Sequence, residues 1–419
     1  MKLNKASQLD MMAECATSHS ELENGIFSMT TYDKLSSYKL YAIPGSLYAG
    51  KIRSYLRKQG IPYEECAAGS SYFKETIVEK VGRWIIPVIE AEDGSLLQDG
   101  ADIIDHFEAA GERRMPTQPE DLVVRAVSYL FEMYGGEGML RPAMHYRWNF
   151  DDDNLAFVKD DFCAGLAPGD DAAMGEQVFN MVSTRMRGVM GTFGVSDESI
   201  PTVEKSYKEF LTLFNDHLEG SPYLLGGLPS RGDYGLIAPL YAHLGRDPNP
   251  ALLMKKVAPR VWRWVERMNS TDHRAPEYLD FNQAYFTADT IPETLKKLMV
   301  YVAEDYLPEI SAHVAFANKW IADHPGIKEG TLGLKSPGER IIGKAKFEWR
   351  GIELETIVMP YRFYMLQRMQ AVAASADDAA QAAIRALFAG SGLEAMLDLR
   401  TTRPVERKNY AEIWGAPIR

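Results

Sequence analysis

The order of short patterned segments between Tyr38 and Gly111 constrains this chain most. The run YKLYAI (38–43) is rich in strand-forming residues and stops at Pro44-Gly45; LYAGKIRSYLRKQG then has the apolar spacing of a helix that ends at Gly60. Ile61-Pro62-Tyr63 leads into a second short strand, and SSYFKETIVEKVG (70–82) opens with serines suited to cap a second helix. WIIPVIEAEDGSLLQ (84–98) places two apolar runs about Asp93-Gly94, the pattern of a hairpin, and ADIIDHFEAAG reads as a helix ending at Gly111.

That order, βαβ followed by ββα, describes a thioredoxin-like domain over residues 38–112. From Pro119 to about Tyr285 helical patterns dominate, with breaks near Pro168-Gly169, Ser221-Pro222 and Pro248, so residues 113–285 are expected to form an all-helical domain. At 419 residues the chain exceeds the roughly 250–300 that one core usually serves. Residues 286–419 form an appended segment, mostly helical around 292–323 and 359–389, with a hairpin about Arg350-Gly351 in KAKFEWRGIELETIVM (344–359). No Gly/Ser-rich or charged tract separates Tyr285 from Tyr301, so this segment is expected to pack on the helical domain. Residues 1–37 read as a polar extension. The fold class is therefore α/β plus all-α with a mostly helical appendage.

A formal net charge of −12 argues against a generally basic nucleic-acid binder, which needs clustered Lys and Arg. The three cysteines, Cys15, Cys66 and Cys163, form no C-x-x-C pair and suit a reducing cytoplasm. No apolar run has the length of a signal peptide core or a membrane span. The eight histidines are dispersed, so no metal site is expected.

The chemistry concentrates in IPGSLYAGKIR (43–53). Gly45, four residues, then Gly50-Lys51 matches a phosphate loop, but Ile52 stands where a nucleotide site needs Ser or Thr for Mg²⁺. The other reading rests on Ser46, in the turn before a helix and at the positive end of its dipole. A hydroxyl aimed there at a bound thiol donates a hydrogen bond to sulfur and, with the dipole, lowers the thiol's pKa. A plain helix-capping role is the alternative for the same residue.

On these residues the chain resembles the serine-type cytosolic glutathione transferases, over about residues 38–280. GSLYAGKIRSYLRKQGIPYEE is similar to that family's first helix and second strand, which puts Ser46 on the catalytic serine and Leu47 on a position usually held by proline. Ile86-Pro87 matches the family's cis-proline step, whose preceding residue binds the cysteinyl part of glutathione through its backbone. LLQDGADIIDHFE (96–108) resembles the motif that grips the γ-glutamyl end: one alignment offers Asp99 and Gly100, and a shift by one residue offers Gln98 and Asp99. GGLPSRGDYGLIAPLYAHL (226–244) is similar to the family's capping motif, with Ser230 and Asp233 in S/T-x-x-D spacing. GMLRPAMHYRW (138–148) resembles a helix that faces the cleft, making Tyr134, Met139, Arg141, His145 and Tyr146 candidates for an acceptor pocket. The resemblance implies glutathione as cosubstrate, a small electrophilic, apolar or aromatic acceptor, a cytoplasmic homodimer, and conjugation, ether cleavage, dehalogenation or isomerisation as the reaction. The absence of an active-turn cysteine speaks against disulfide reduction. A non-catalytic binding or assembly protein on the same scaffold is the rival expectation, favoured by Gly100 and by the appended segment.

Overall fold

The computed structural model describes residues 37–271, 275–279, 282–336 and 338–418; residues 1–36 of the polar extension lie outside them. β1 (Tyr38–Ala42) runs parallel to β2 (Glu64–Ala67), with Lys39 opposite Glu64, because α1 (Leu47–Gln59) carries the chain back between them. β3 (Val88–Ala91) is antiparallel to β1 on its other side, and β4 (Leu96–Gln98) is antiparallel to β3. The sheet order β2-β1-β3-β4 is thioredoxin-like. Alternate residues of β1 divide between two cores: Leu40 and Ala42 face α1 and α3 (Gly100–Ala110), while Tyr41 packs with Phe73, Ile77 and Val88. Between β2 and β3 a π-helical run, Phe73–Ile77, leads into one turn of α2 (Val78–Val81).

The helical part follows as α4 (Leu122–Met133), a π-helical run Tyr134–Gly138, α5 (Leu140–Trp148), α6 (Asp151–Leu166), α7 (Ala172–Gly188), α8 (Ile200–His217), α9 (Arg231–Ala242), α10 (Pro248–Val257) and α11 (Pro259–Met268). α9 is its central strut, packed against both α1 and α4. Its start is a capping box: Ser230 Oγ accepts from the Asp233 backbone, and the Asp233 carboxylate accepts from the Ser230 backbone. Asp233 also accepts from Leu224 N and Trp264 Nε1, so one buried carboxylate ties three segments together. Glycine is required where α4 and α9 cross: a Cβ on Gly235 would lie 2.4 Å from Glu132 Cα, and one on Gly135 would lie 2.3 Å from the Gly235 carbonyl carbon.

The appended segment comprises α12 (Glu293–Asp323), β5 (Gly343–Trp349), β6 (Ile352–Val358), α13 (Pro360–Ser375), α14 (Asp378–Gly390), α15 (Glu394–Asp398), β7 (Val405–Lys408) and β8 (Ala411–Trp414). α12 packs on α8, and α13 and α14 pack on α4, so a single apolar core runs from Leu40 to Trp414. The β5–β6 hairpin turns at Arg350-Gly351, both with positive φ (48° and 83°), as a tight two-residue hairpin turn requires. A second hairpin, β7–β8, turns at Asn409-Tyr410 (φ 50° and 62°), where the sequence alone suggested no strands.

Candidate functional site

Tyr41, Val88 and Gln98 lie side by side across β1, β3 and β4. The segments leaving the sheet there, 43–46, 86–87 and 99–100, therefore emerge at one end of it. Ser46 is the N-cap of α1: its Oγ accepts from Ala49 N at 3.3 Å, and its carbonyl accepts from Gly50 N. Its side chain is half-buried. The turn before it is clamped. Arg147 donates from Nη1 to the Gly45 carbonyl at 2.8 Å while Asp247 holds the same guanidinium through two 2.7 Å bonds. On the other flank the end of α6 lies against the turn, where a Cβ on Gly165 would lie 2.7 Å from Ile43 Cγ2. A bond from Gly69 N to the Gly165 carbonyl holds that contact. Lys51, which the phosphate-loop pattern singled out, pairs instead with Glu132 of α4 at 2.6 Å. Burial works against that carboxylate, but Arg231 and Lys51 hold its pKa down at about 2.

The Ile86–Pro87 peptide bond is cis. At the β4–α3 turn, Asp99 has φ 86° and caps α3, its Oδ1 accepting from Ala101 N at 2.8 Å. Gly100 is the first residue of that helix, and a Cβ there would lie 3.3 Å from Lys51 Cδ. This turn is covered by the appended segment. Tyr361 of α13 donates to Asp99 Oδ1 at 3.0 Å, and Tyr364 donates to Asp102 at 2.8 Å. Arg407 of β7 reaches Gln98 Oε1 at 2.6 Å and Asp102 Oδ2 at 2.7 Å, and Glu412 of β8 anchors it in turn. Burial and the neighbouring Asp99 carboxylate raise the Asp102 pKa despite Arg407.

Tyr48, the second residue of α1, donates to Glu137 at 3.3 Å. Burial and the Glu137 carboxylate push its pKa well up, so the phenol keeps its proton. Glu137 meets Arg362 of α13 at 3.2 Å, and burial raises the carboxyl's pKa even so. Arg362 also bonds Glu309 at 2.6 Å and His313 Nδ1 at 3.1 Å. Burial opposes ionisation of Glu309, but Arg362 and Arg141 bring its pKa to about 2.

The five acceptor-pocket candidates form a packed layer rather than a single open wall. Each is at most 2 % exposed. Tyr134 donates to Asp305, and Arg141 pairs with Glu309 at 2.7 Å and stacks on Trp349. Those partners all belong to the appended segment. His145 lies between Glu204 and Asn149, with burial lowering its pKa. Tyr146 stacks on Phe150 and touches Tyr207, and Met139 sits in the main core.

Four residues that shape the site were not singled out from the sequence: Arg147, Tyr361, Arg407, and Arg340, which reaches Glu412 at 3.4 Å. Arg147 was within reach, since it stands in the same GMLRPAMHYRW stretch that marked its neighbours. The other three come from far along the chain, and nothing local marks them.

Among solved structures, the beta-etherase LigF from a Sphingobium strain aligns with 57% of this chain and 96% of its own length, at 17% identity and a TM-score of 0.40. Glutathione transferase GSTFuA3 from Phanerochaete chrysosporium aligns with 57% of this chain and 98% of its own, at 14% identity and a TM-score of 0.40. A glutathione S-transferase from Methylobacterium radiotolerans in complex with glutathione sulfonate aligns with 61% and 97%, at 18% identity and a TM-score of 0.32. No curated protein sequence matches the chain. Residues 40–114 match the family model of the glutathione S-transferase N-terminal domain, and that match spans Ser46, Ile86-Pro87 and the Gln98–Gly100 turn.

Proposed function

We propose that this protein is a glutathione-dependent transferase. Glutathione would lie along the sheet end bounded by Ser46, Leu47, Ile86-Pro87 and the Gln98–Gly100 turn. The observation that carries this reading is the convergence of three segments at one end of a sheet whose sequence matches the glutathione S-transferase N-terminal domain. Ser46 stands at the amino end of α1 and so has both a hydroxyl and a helix dipole to offer a thiolate. In the reaction the thiol gives its proton to solvent, the hydroxyl donates a hydrogen bond to the sulfur anion, and the anion forms a bond to an electrophilic carbon of an apolar or aromatic acceptor, from which a leaving group departs with its bonding pair or whose π electrons shift to the neighbouring atom. The reaction class beyond that step is common to conjugation, ether cleavage, dehalogenation and isomerisation.

A calorimetric titration with glutathione, followed by turnover with an activated aryl halide, tests the reading. Saturable binding with turnover is expected. Absence of both favours a second reading, a non-catalytic binding protein. That reading draws on the bonds that already occupy Gln98 and Asp102 through Arg407 and Tyr364, and on the closed layer around Tyr134 and Arg141.

A further inference from the structure

The Gln98–Asp102 end of the cleft holds three anions and three cations drawn from both halves of the chain. Glu412 receives Arg407 at 2.7 Å, Arg83 at 3.2 Å and Arg340 at 3.4 Å. Asp102 receives Arg407 and Tyr364. Asp99 receives Ala101 N and Tyr361, both on Oδ1, which leaves Oδ2 without a hydrogen bond among the described residues. Arg340 is the least committed of the cations: its one hydrogen bond among the described residues is the long contact to Glu412, and its buried Nε has no partner. Its side chain is 31% exposed, although Nε is buried. It lies over the Tyr361 ring at 5.6 Å, and that tyrosine's hydroxyl is the one on Asp99. The Tyr48, Glu137 and Asp99 side chains all act electrostatically on Arg340, in keeping with its place over Tyr361.

A carboxylate beside Asp99 is repelled, whereas an ammonium is attracted. A ligand end carrying both charges needs one further cation nearby, and Arg340 of the appended segment is the one with the fewest bonds already made among the described residues. We propose that Asp99 and Arg340 together bind an α-amino-acid end group, Oδ2 of Asp99 accepting from the ammonium and Arg340 donating to the carboxylate. Within the glutathione reading above, on which this rests, that group is the γ-glutamyl end. The appended segment is then part of the ligand site rather than only a brace, and Arg340 is a binding residue that compensates for an acidic side chain at position 99.

The test is calorimetry on the full chain with glutathione and with glutathione esterified at the glutamyl α-carboxylate, using wild type, Arg340→Ala and Arg340→Lys. A lost bond to a charged group weakens binding by about 10- to 100-fold. Arg340→Ala is expected to lose that much affinity for glutathione, and Arg340→Lys is expected to recover part of it. The ester is expected to bind wild type as weakly as glutathione binds Arg340→Ala, with no further loss when both changes are combined. Thermal unfolding accompanies each titration; should Arg340→Ala melt early, the lysine variant and the ester on wild type carry the comparison. Glutathione binding within twofold of wild type in Arg340→Ala would overturn the Asp99–Arg340 pair and leave the glutathione reading standing. No binding of glutathione to wild type would overturn that reading and this inference with it.

Discussion

The two ends of the cleft are held in different ways. At the Ser46 end the backbone is fixed and the functional side chain is left alone: Arg147 grips the Gly45 carbonyl, α6 presses on Ile43, and the serine hydroxyl accepts one long bond from its own helix. At the Gln98–Asp102 end the side chains themselves are engaged, by Tyr361, Tyr364 and Arg407. On the function proposed above, the difference separates chemistry from recognition. A group that must bond a transient sulfur anion is useful only if it is not already spent, whereas a group that grips a fixed ligand end benefits from being held rigid.

Breaking the support behind Tyr48 is expected to have the largest effect. Arg362→Ala would leave Glu137 and Glu309 buried without their shared cation, a change expected to cost about 3–5 kcal/mol in urea unfolding. A loss below about 1 kcal/mol would show that the two carboxylates find other partners. The same cluster makes stability acid-sensitive. Burial and the adjacent Arg362 push the His313 pKa down to about 3, below the unfolded value of roughly 6.5. Between those values the unfolded chain binds a proton that the folded chain refuses. The His313 contribution is therefore complete above about pH 6.5 and falls away as the pH drops toward about 3. Stability measured across this range should fall less steeply in His313→Gln, the buried His217 and His243 keeping part of the slope; an unchanged slope would place the acid sensitivity elsewhere.

Next in size is Ser46→Ala. Loss of a hydrogen bond to a thiolate costs about 1.5–3 kcal/mol, so turnover should fall about 10- to 100-fold while glutathione affinity changes little. A fall in affinity with unchanged turnover would reverse the division between the two ends. Arg407→Ala should do the opposite: about 1.5 kcal/mol less stability, from the lost bonds to Gln98 and Asp102, with turnover of the bound complex near wild type. Tyr361→Phe is the mildest, removing a single bond to Asp99 for about 1 kcal/mol or less.

The thioredoxin-like part is legible because each element carries its own stop signal: Gly60 and Gly111 end α1 and α3 in the left-handed conformation that glycine takes readily. Alternation about Arg350-Gly351 marks the β5–β6 hairpin for the same reason. The β7–β8 hairpin is hidden because its turn is Asn409-Tyr410, with no glycine to announce a positive φ. The candidate site divides likewise. Ser46 and Ile86-Pro87 are local features of turn and strand, whereas the partners of Asp99 and Gln98 lie more than 250 residues away in sequence and arise only when α13 and β7 dock. The resemblance makes Tyr134 and Arg141 candidates for an acceptor pocket without saying what the appended segment does there; their partners Asp305 and Glu309 lie on α12.

The most direct test of the whole account is the ionisation of the bound thiol, followed by thiolate ultraviolet absorbance as pH is raised over the glutathione complex. In wild type the bound thiol should titrate about 1–2 units below free glutathione, the equivalent of one hydrogen bond to a charged group. In Ser46→Ala, the titration should move back most of the way toward the free value. A bound thiol with the same pKa in both proteins would contradict the claim that Ser46 activates it.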